Sequence, residues 1–204
     1  LAYQKLIKGG IMCFNGQSLI PVSKNKRQYD LFLKSSYECG VYLDTDLLHL
    51  KPISQLAKEY GKKVLIHTDL IQGLKNDEYS IEYICQDIKP YGIISTRPSV
   101  IAKAKRRGLL TIQRVFLLDS QALEKSYDIA HKTNADYLEI LPGIIPGFIK
   151  KLSNDIDIPI LAGGLVTTKE EVNCALSAGA QAVTTSHVAL WQAMEYVQKQ
   201  YKVI

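Results

Sequence analysis

The chain has 204 residues, 47% of them hydrophobic and 22% charged, with a formal net charge of +5. That length suits one well-cored domain rather than two, and the composition excludes a disordered or fibrous protein. A charge this small permits contact with a polyanion without demanding it, and no apolar run approaches the roughly 20 residues of a membrane helix.

No apolar core of a secretory signal peptide is visible at the start of the chain. Ahead of Met12, Lys8-Gly9-Gly10 reads like the translation of a ribosome-binding sequence. Residues 1–11 are therefore expected to be an extension and residues 12–204 the domain, with a native N-terminal arm as an equal alternative. Cys13, Cys39, Cys85 and Cys174 are scattered without a CxxC pair, a pattern of free thiols in a reducing cytosol rather than of disulfides or zinc ligands.

Eight apolar segments then follow in order: Ser18–Ser23, Gly40–Asp44, Lys63–Asp69, Gly92–Thr96, Leu110–Leu117, Tyr137–Leu141, Pro159–Gly163 and Ala182–Ser186. Several are almost continuously apolar, as parallel strands covered on both faces should be. Helix punctuation fills the gaps between them. Pro52 with Gly61, and Pro98 with Gly108, bracket two helices, and Asp119 or Ser120 caps another that runs toward Asn134. Thr168-Lys169-Glu170-Glu171 is a capping box, and Gly179 closes the helix it starts.

Alternating β and α segments make either a doubly wound sheet or a closed barrel. The count of eight and the lack of a G-x-G-x-x-G turn after the first strand favour a single compact (β/α)8 TIM-like barrel. So do the turns that end units seven and eight. Gly163-Gly164 and Thr185-Ser186 are small-residue strand ends followed by helix starts, where backbone amides and the helix dipole favour an anion.

In such a barrel the functional groups gather at the C-terminal strand ends. Read in order these are Asp44 and Asp46, His67 and Asp69, Thr96 and Arg97, Gln113 and Arg114, Glu139, and then the two small-residue turns. Carboxylates that accept hydrogen bonds from hydroxyls, opposite an anion cup, suit a small phosphorylated polyol. Glu139 lies mid-strand, where a bare carboxylate is costly. Arg114 on the adjoining strand is either its structural partner or a second ligand contact. His67 reads more readily as a core histidine than as a catalytic one.

Lys103, Lys105, Arg106 and Arg107 form a dense basic helix end. Such a run is more often a solvated face than a nucleic-acid contact, although with Lys150 and Lys151 it could meet RNA phosphates. The strands carry no interior lysine, which argues against a Schiff-base aldolase, and no His/Cys cluster implies a metal. An acid–base enzyme acting on a small phosphorylated sugar or polyol, such as an isomerase, an epimerase or a glyceryl-phosphate transferase, is the alternative.

The segments VLIHTDLIQGLKND, GIISTRP, LTIQRVFLLDS, YLEILPGIIP, PILAGGL and AVTTS with Leu190-Trp191 resemble the bacterial glycerol uptake operon antiterminators, from about Asn15 through Trp191. The resemblance implies a cytoplasmic, non-enzymatic barrel without a cofactor or metal. It implies glycerol 3-phosphate as effector and leader mRNA as partner, with no membrane contact; a homo-oligomer is compatible with it. On this chain it places Gly143, Gly163, Gly164, Thr185 and Ser186 around the phosphate, and Asp69, Arg114, Glu139 and His67 around the polyol. The RNA assignment of Lys103, Lys105, Arg106 and Arg107 rests on charge alone. The loops Gln72–Asp77 and Pro142–Gly147 are the expected mobile parts.

Overall fold

A computed structural model describes residues 14, 16–75 and 77–201; the expected extension, residues 1–11, lies outside them. Each βα unit starts with a short apolar strand. The strands are β1 (Leu19–Ser23), β2 (Cys39–Tyr42), β3 (Lys63–His67), β4 (Gly92–Ser95), β5 (Leu110–Phe116), β6 (Tyr137–Leu141), β7 (Ile160–Gly163) and β8 (Ala182–Thr185). The helices after them are α1 (Lys26–Lys34), α2 (Leu50–Glu59), α3 (Glu78–Tyr83), α4 (Pro98–Arg106), α5 (Ser120–Thr133), α6 (Pro146–Asp155), α7 (Lys169–Ser177) and α8 (Val188–Tyr201). Every strand pairs in parallel with its neighbours in chain order, and β8 closes on β1. The sequence expectation of a (β/α)8 barrel is the observed fold.

Local chemistry sets most of the boundaries. Thr168 and Glu171 form the reciprocal capping box of α7, and Asp119 accepts from the Ala122 amide to start α5. Asn25 caps α1 by accepting from the Gln28 amide. Pro98 opens α4, whereas α2 begins at Leu50, so Pro52 falls in its first turn rather than at its first residue. The third strand is shorter than the sequence suggested. It ends at His67 because Thr68–Leu70 turns into one 3₁₀ turn, which brings the Asp69 carboxylate to the tip of β4.

Strand alternation divides the apolar residues into two cores. Ile20, Val22, Val41, Leu65, Ile94, Ile112 and Leu161 point into the barrel, while Leu19, Ile66, Ile93, Leu138, Ile160 and Val183 pack outward against the helices. Phe14 closes the N-terminal end of the inner core, its ring 4.8 Å from that of Tyr137. Among the described residues the buried polar side chains of the inner face, His67, Arg114, Glu139 and Thr184, gather at the C-terminal mouth.

One feature lies outside the regular plan. Thr45–Asp46, just after β2, pairs in parallel with Ile71–Gln72, just after β3. This two-residue ladder ties the second and third mouth loops together, and the Leu47 amide adds a bond to the Gln72 carbonyl at 3.0 Å.

Candidate functional site

The uppermost inner layer of the barrel is polar. Arg114 and Glu139 lie opposite each other in the β5–β6 register, and the Arg114 Nε donates to Glu139 Oε2 at 2.6 Å. Thr184 on β8 donates its hydroxyl to the other carboxylate oxygen, also at 2.6 Å. Glu139 is fully buried, so both oxygens need these partners. The terminal amino groups of Arg114 have no hydrogen-bond acceptor among the described residues and stand at the mouth.

His67 lies beside this pair, 2% exposed. Burial, reinforced by the Arg114 guanidinium, pushes its pKa down to about 4 against the opposing pull of Asp69 and Glu139. The imidazole is therefore neutral near pH 7. Its Nδ1 is buried with no hydrogen-bond partner among the described residues, so the ring is held at the barrel core with one nitrogen unsatisfied.

Asp69 does not present a bare carboxylate. It accepts from the Ser95 hydroxyl at 2.6 Å and from the Thr96 amide and hydroxyl, each at 2.7 Å. Burial alone would raise its pKa; those hydrogen bonds and the nearby His67 outweigh that and hold it below the ordinary carboxylate value. Its main physical effect is to pin the β3 loop to the tip of β4. Gln113 does similar work on the other side of that strand, donating to the Ser95, Thr96 and Arg114 carbonyls.

The small-residue turns after β7 and β8 sit across the mouth from Arg114. Gly163 faces inward, where a Cβ would collide with the Thr184 hydroxyl and stand 2.8 Å from Glu139 Oε1. Gly164 and Leu165 both adopt positive φ, 75° and 63°. The Gly143 amide is already donated to the Gly164 carbonyl at 3.0 Å, so Gly143 brings the β6 loop against β7 rather than offering an open donor.

Thr185 is likewise engaged. Its hydroxyl donates to the Val166 carbonyl at 2.6 Å and accepts from the His187 amide at 3.1 Å, tying the β7 loop to the start of α8. By alternation Thr184 and Ser186 share the inner face and Thr185 does not. The sequence expectation omitted Thr184; counting every second residue back from Ser186 identifies it. Ser186 sits ahead of α8, where the Leu190 and Trp191 amides already donate to the His187 carbonyl at 3.1 and 3.3 Å, so the orphan donors of its first turn are the Val188 and Ala189 amides.

The basic end of α4 is placed elsewhere. Its C-terminus leads into the start of β5, at the end of the barrel opposite the mouth. Lys103 and Arg107 pair with Glu82, and Lys105 pairs with Asp136. Arg106 alone of the four has no partner among the described residues. Among the described residues no group of His, Cys, Asp or Glu side chains could hold a metal ion, and Cys39, Cys85 and Cys174 are unbridged. No helix among them is long and apolar enough to cross a membrane.

Fold and site define a single-domain (β/α)8 barrel with a mouth built around a buried carboxylate–guanidinium pair and ringed by small-residue turns. Residues 19–191 match the glycerol-3-phosphate responsive antiterminator family. The chain belongs to that family, which is one of regulators rather than enzymes. Its fold is similar to the crystal structure of the glycerol uptake operon antiterminator regulatory protein of Listeria monocytogenes, with 44% identity and a TM-score of 0.84, covering 86% of this chain and 95% of that one. An antiterminator-related protein of Thermotoga maritima is 28% identical with a TM-score of 0.76, covering 86% and 98% of the two chains. An uncharacterised Escherichia coli protein, YgcP, is 30% identical over 85% of this chain and 91% of its own length.

Proposed function

We propose that the mouth binds glycerol 3-phosphate as a signal, and that the liganded protein engages leader mRNA in the cytoplasm so that a transcription terminator does not form. The phosphate is held between the Gly163–Leu165 turn and Ser186 with the N-terminus of α8. The free amino groups of Arg114 and the neutral ring of His67 meet the phosphate–glycerol junction and the hydroxyls. Glu139 acts through Arg114, whose guanidinium it orients, and Asp69 acts through the loop it pins.

The observation that carries this reading is the Gly164–Leu165 turn. Leucine at φ 63° costs roughly 1–2 kcal/mol of backbone strain, yet the 68% exposed side chain gains little packing in return. Strain of that kind persists where the backbone has another task, and here the turn is tied to the start of α8 through Val166 and Thr185.

The test is a titration with glycerol 3-phosphate, glycerol and inorganic phosphate, with an RNA-binding measurement at each ligand concentration. Glycerol 3-phosphate should bind tightest and change RNA affinity, because a ligand that favours the RNA-competent form must be favoured by RNA in turn. Gly164→Asp, which puts an anion in the cup, should abolish ligand binding. Equal binding of all three compounds, or RNA affinity indifferent to them, overturns the reading.

A further inference from the structure

Four large apolar side chains stand in solvent on one sector of the mouth. Phe116 and Leu118 lie where β5 runs into α5, and Ile144 and Phe148 where β6 runs into α6; they are 40–83% exposed. The backbone makes the two loops neighbours. Phe116 is paired in register with Leu141 at the end of β6, and the Leu117 amide donates to the Leu141 carbonyl at 2.8 Å. Farther along, the Tyr127 hydroxyl of α5 donates to Asp155 of α6 at 2.7 Å. Together the four side chains expose on the order of 450 Å² of apolar surface, as much as the largest patches on monomeric proteins, which are often binding sites.

The charges beside this strip decide between two kinds of partner. Asp119 and Glu124 stand on α5, Lys150 and Lys151 on α6; all four are exposed, and none makes an ion pair with a described residue. RNA would meet as many carboxylates as ammonium groups here and release few counterions. A second copy of this chain finds a surface that complements itself. An isologous interface applies the same patch twice, so a two-fold axis through the strip exchanges its α5 side with its α6 side. Phe116 and Leu118 then rest on the partner's Ile144 and the partner's Phe148. Glu124 shares a helix face with Tyr127, three residues on, and Lys151 shares one with Asp155, four residues on. Both therefore border the strip, and the axis sets Glu124 against the partner's Lys151. The area agrees as well. A standard interface buries about 800 Å² per partner, roughly 60% of it apolar, which is close to what the strip supplies.

We propose that this strip is the surface through which two copies of the chain pair, and that the pairing caps one side of the mouth. Phe116 follows Arg114 by two residues on the same face of β5, so the partner covers the guanidinium side of the site. Ligand affinity and pairing must then be linked. That link rests on the ligand reading above; the pairing does not.

Sedimentation velocity on the full chain across the micromolar range tests the pairing. The mass should rise from one chain to two with concentration. Leu118→Glu and Phe148→Glu should each weaken pairing at least about tenfold and leave the thermal midpoint of the monomer unchanged, since both side chains are already exposed. Charge reversal tests the geometry. Glu124→Lys and Lys151→Glu should each pair about tenfold more weakly alone, through like charges met twice across the axis. An equimolar mixture of these two variants should regain pairing, because both contacts between the unlike chains are then complementary. No change within a single chain would produce that rescue. A chain that stays monomeric, Leu118→Glu and Phe148→Glu chains that pair as the unaltered one does, or a mixture no better than either variant overturns the proposal. A monomeric chain whose RNA affinity falls in Phe148→Glu gives the strip to RNA and overturns it too. Pairing indifferent to glycerol 3-phosphate, in a chain shown to bind that ligand, supports the surface and overturns the cap.

Discussion

The carboxylate of Glu139 stands against the inner face of Gly163, where a side chain on β7 would have to go: a Cβ there would be 2.8 Å from Oε1. This contact joins the polar cluster to the turn after β7. Gly163→Ala should therefore displace Glu139 from Thr184 and lower stability by about 1–3 kcal/mol. The entropy gained by replacing glycine is smaller, roughly 0.5–1 kcal/mol. Urea denaturation reads the change, and an unchanged or raised midpoint would show that the contact imposes no constraint.

Arg114 and Glu139 make a buried pair, so the two ways of removing it should differ. Arg114→Met strands a fully buried carboxylate and should cost about 3–5 kcal/mol. Arg114→Met combined with Glu139→Met should recover most of that loss, because no uncompensated charge remains. Both variants should lose glycerol 3-phosphate binding, which separates the ligand role of the guanidinium from its structural one. A double variant that is folded, stable and still binds the ligand would remove the pair from the site.

How far these relationships can be read from sequence depends on their range. The barrel and the capping box at Thr168 and Glu171 appear in the structure as read, and of the two caps offered for α5, Asp119 or Ser120, the structure uses Asp119. The Arg114–Glu139 contact was one of two readings, since adjoining strands bring such residues side by side. Three features were out of reach. Asp69 looks like a free mouth carboxylate until the 3₁₀ turn delivers it to Ser95 and Thr96, more than 25 positions away. The basic end of α4 looks like an open patch until Glu82 and Asp136 close on it from neighbouring elements. The ladder between Thr45–Asp46 and Ile71–Gln72 joins pairs too short to carry any periodicity.

Ion pairing on α4 leads to a prediction about RNA. Of Lys103, Lys105, Arg106 and Arg107, Arg106 alone has no partner among the described residues, and it lies at the barrel end remote from the mouth. Arg106→Glu should leave affinity for leader RNA within about twofold, with the salt slope reduced by less than the full unit that one lost phosphate contact would bring. A tenfold loss would move the RNA surface to that end of the barrel.

His67 should make stability depend on pH in a definite direction. Its pKa is near 4 in the folded protein and about 6.5 when unfolded. Between those values the unfolded chain binds a proton that the folded one refuses, so stability rises with pH through this window and levels off above it. Falling from pH 7 to pH 4, this one group should remove on the order of 3 kcal/mol. In His67→Gln the part of the slope between pH 6.5 and 4 due to this residue should vanish, while acid loss from Asp69 at lower pH remains. Denaturant midpoints across that range decide it. Parallel pH curves for the two proteins would mean the buried ring titrates normally.

Leu165 provides the most direct check on the cup. Its backbone is held at φ 63°, a conformation glycine adopts freely and leucine adopts at a cost of roughly 1–2 kcal/mol. The side chain is 68% exposed, so removing it should lose little buried surface. Glycine's greater freedom in the unfolded chain takes back part of the gain, leaving Leu165→Gly more stable by about 0.5–1 kcal/mol and raising Tm by a few degrees. If the strain serves to hold the turn ready for an anion, the same variant should bind glycerol 3-phosphate more weakly, because the turn then has other conformations to leave on binding. Greater stability with weaker ligand binding is the expected pair of outcomes. Greater stability with unchanged binding would mean the left-handed turn is only a way of linking β7 to α7, and the phosphate would have to be sought at Ser186 and α8 alone.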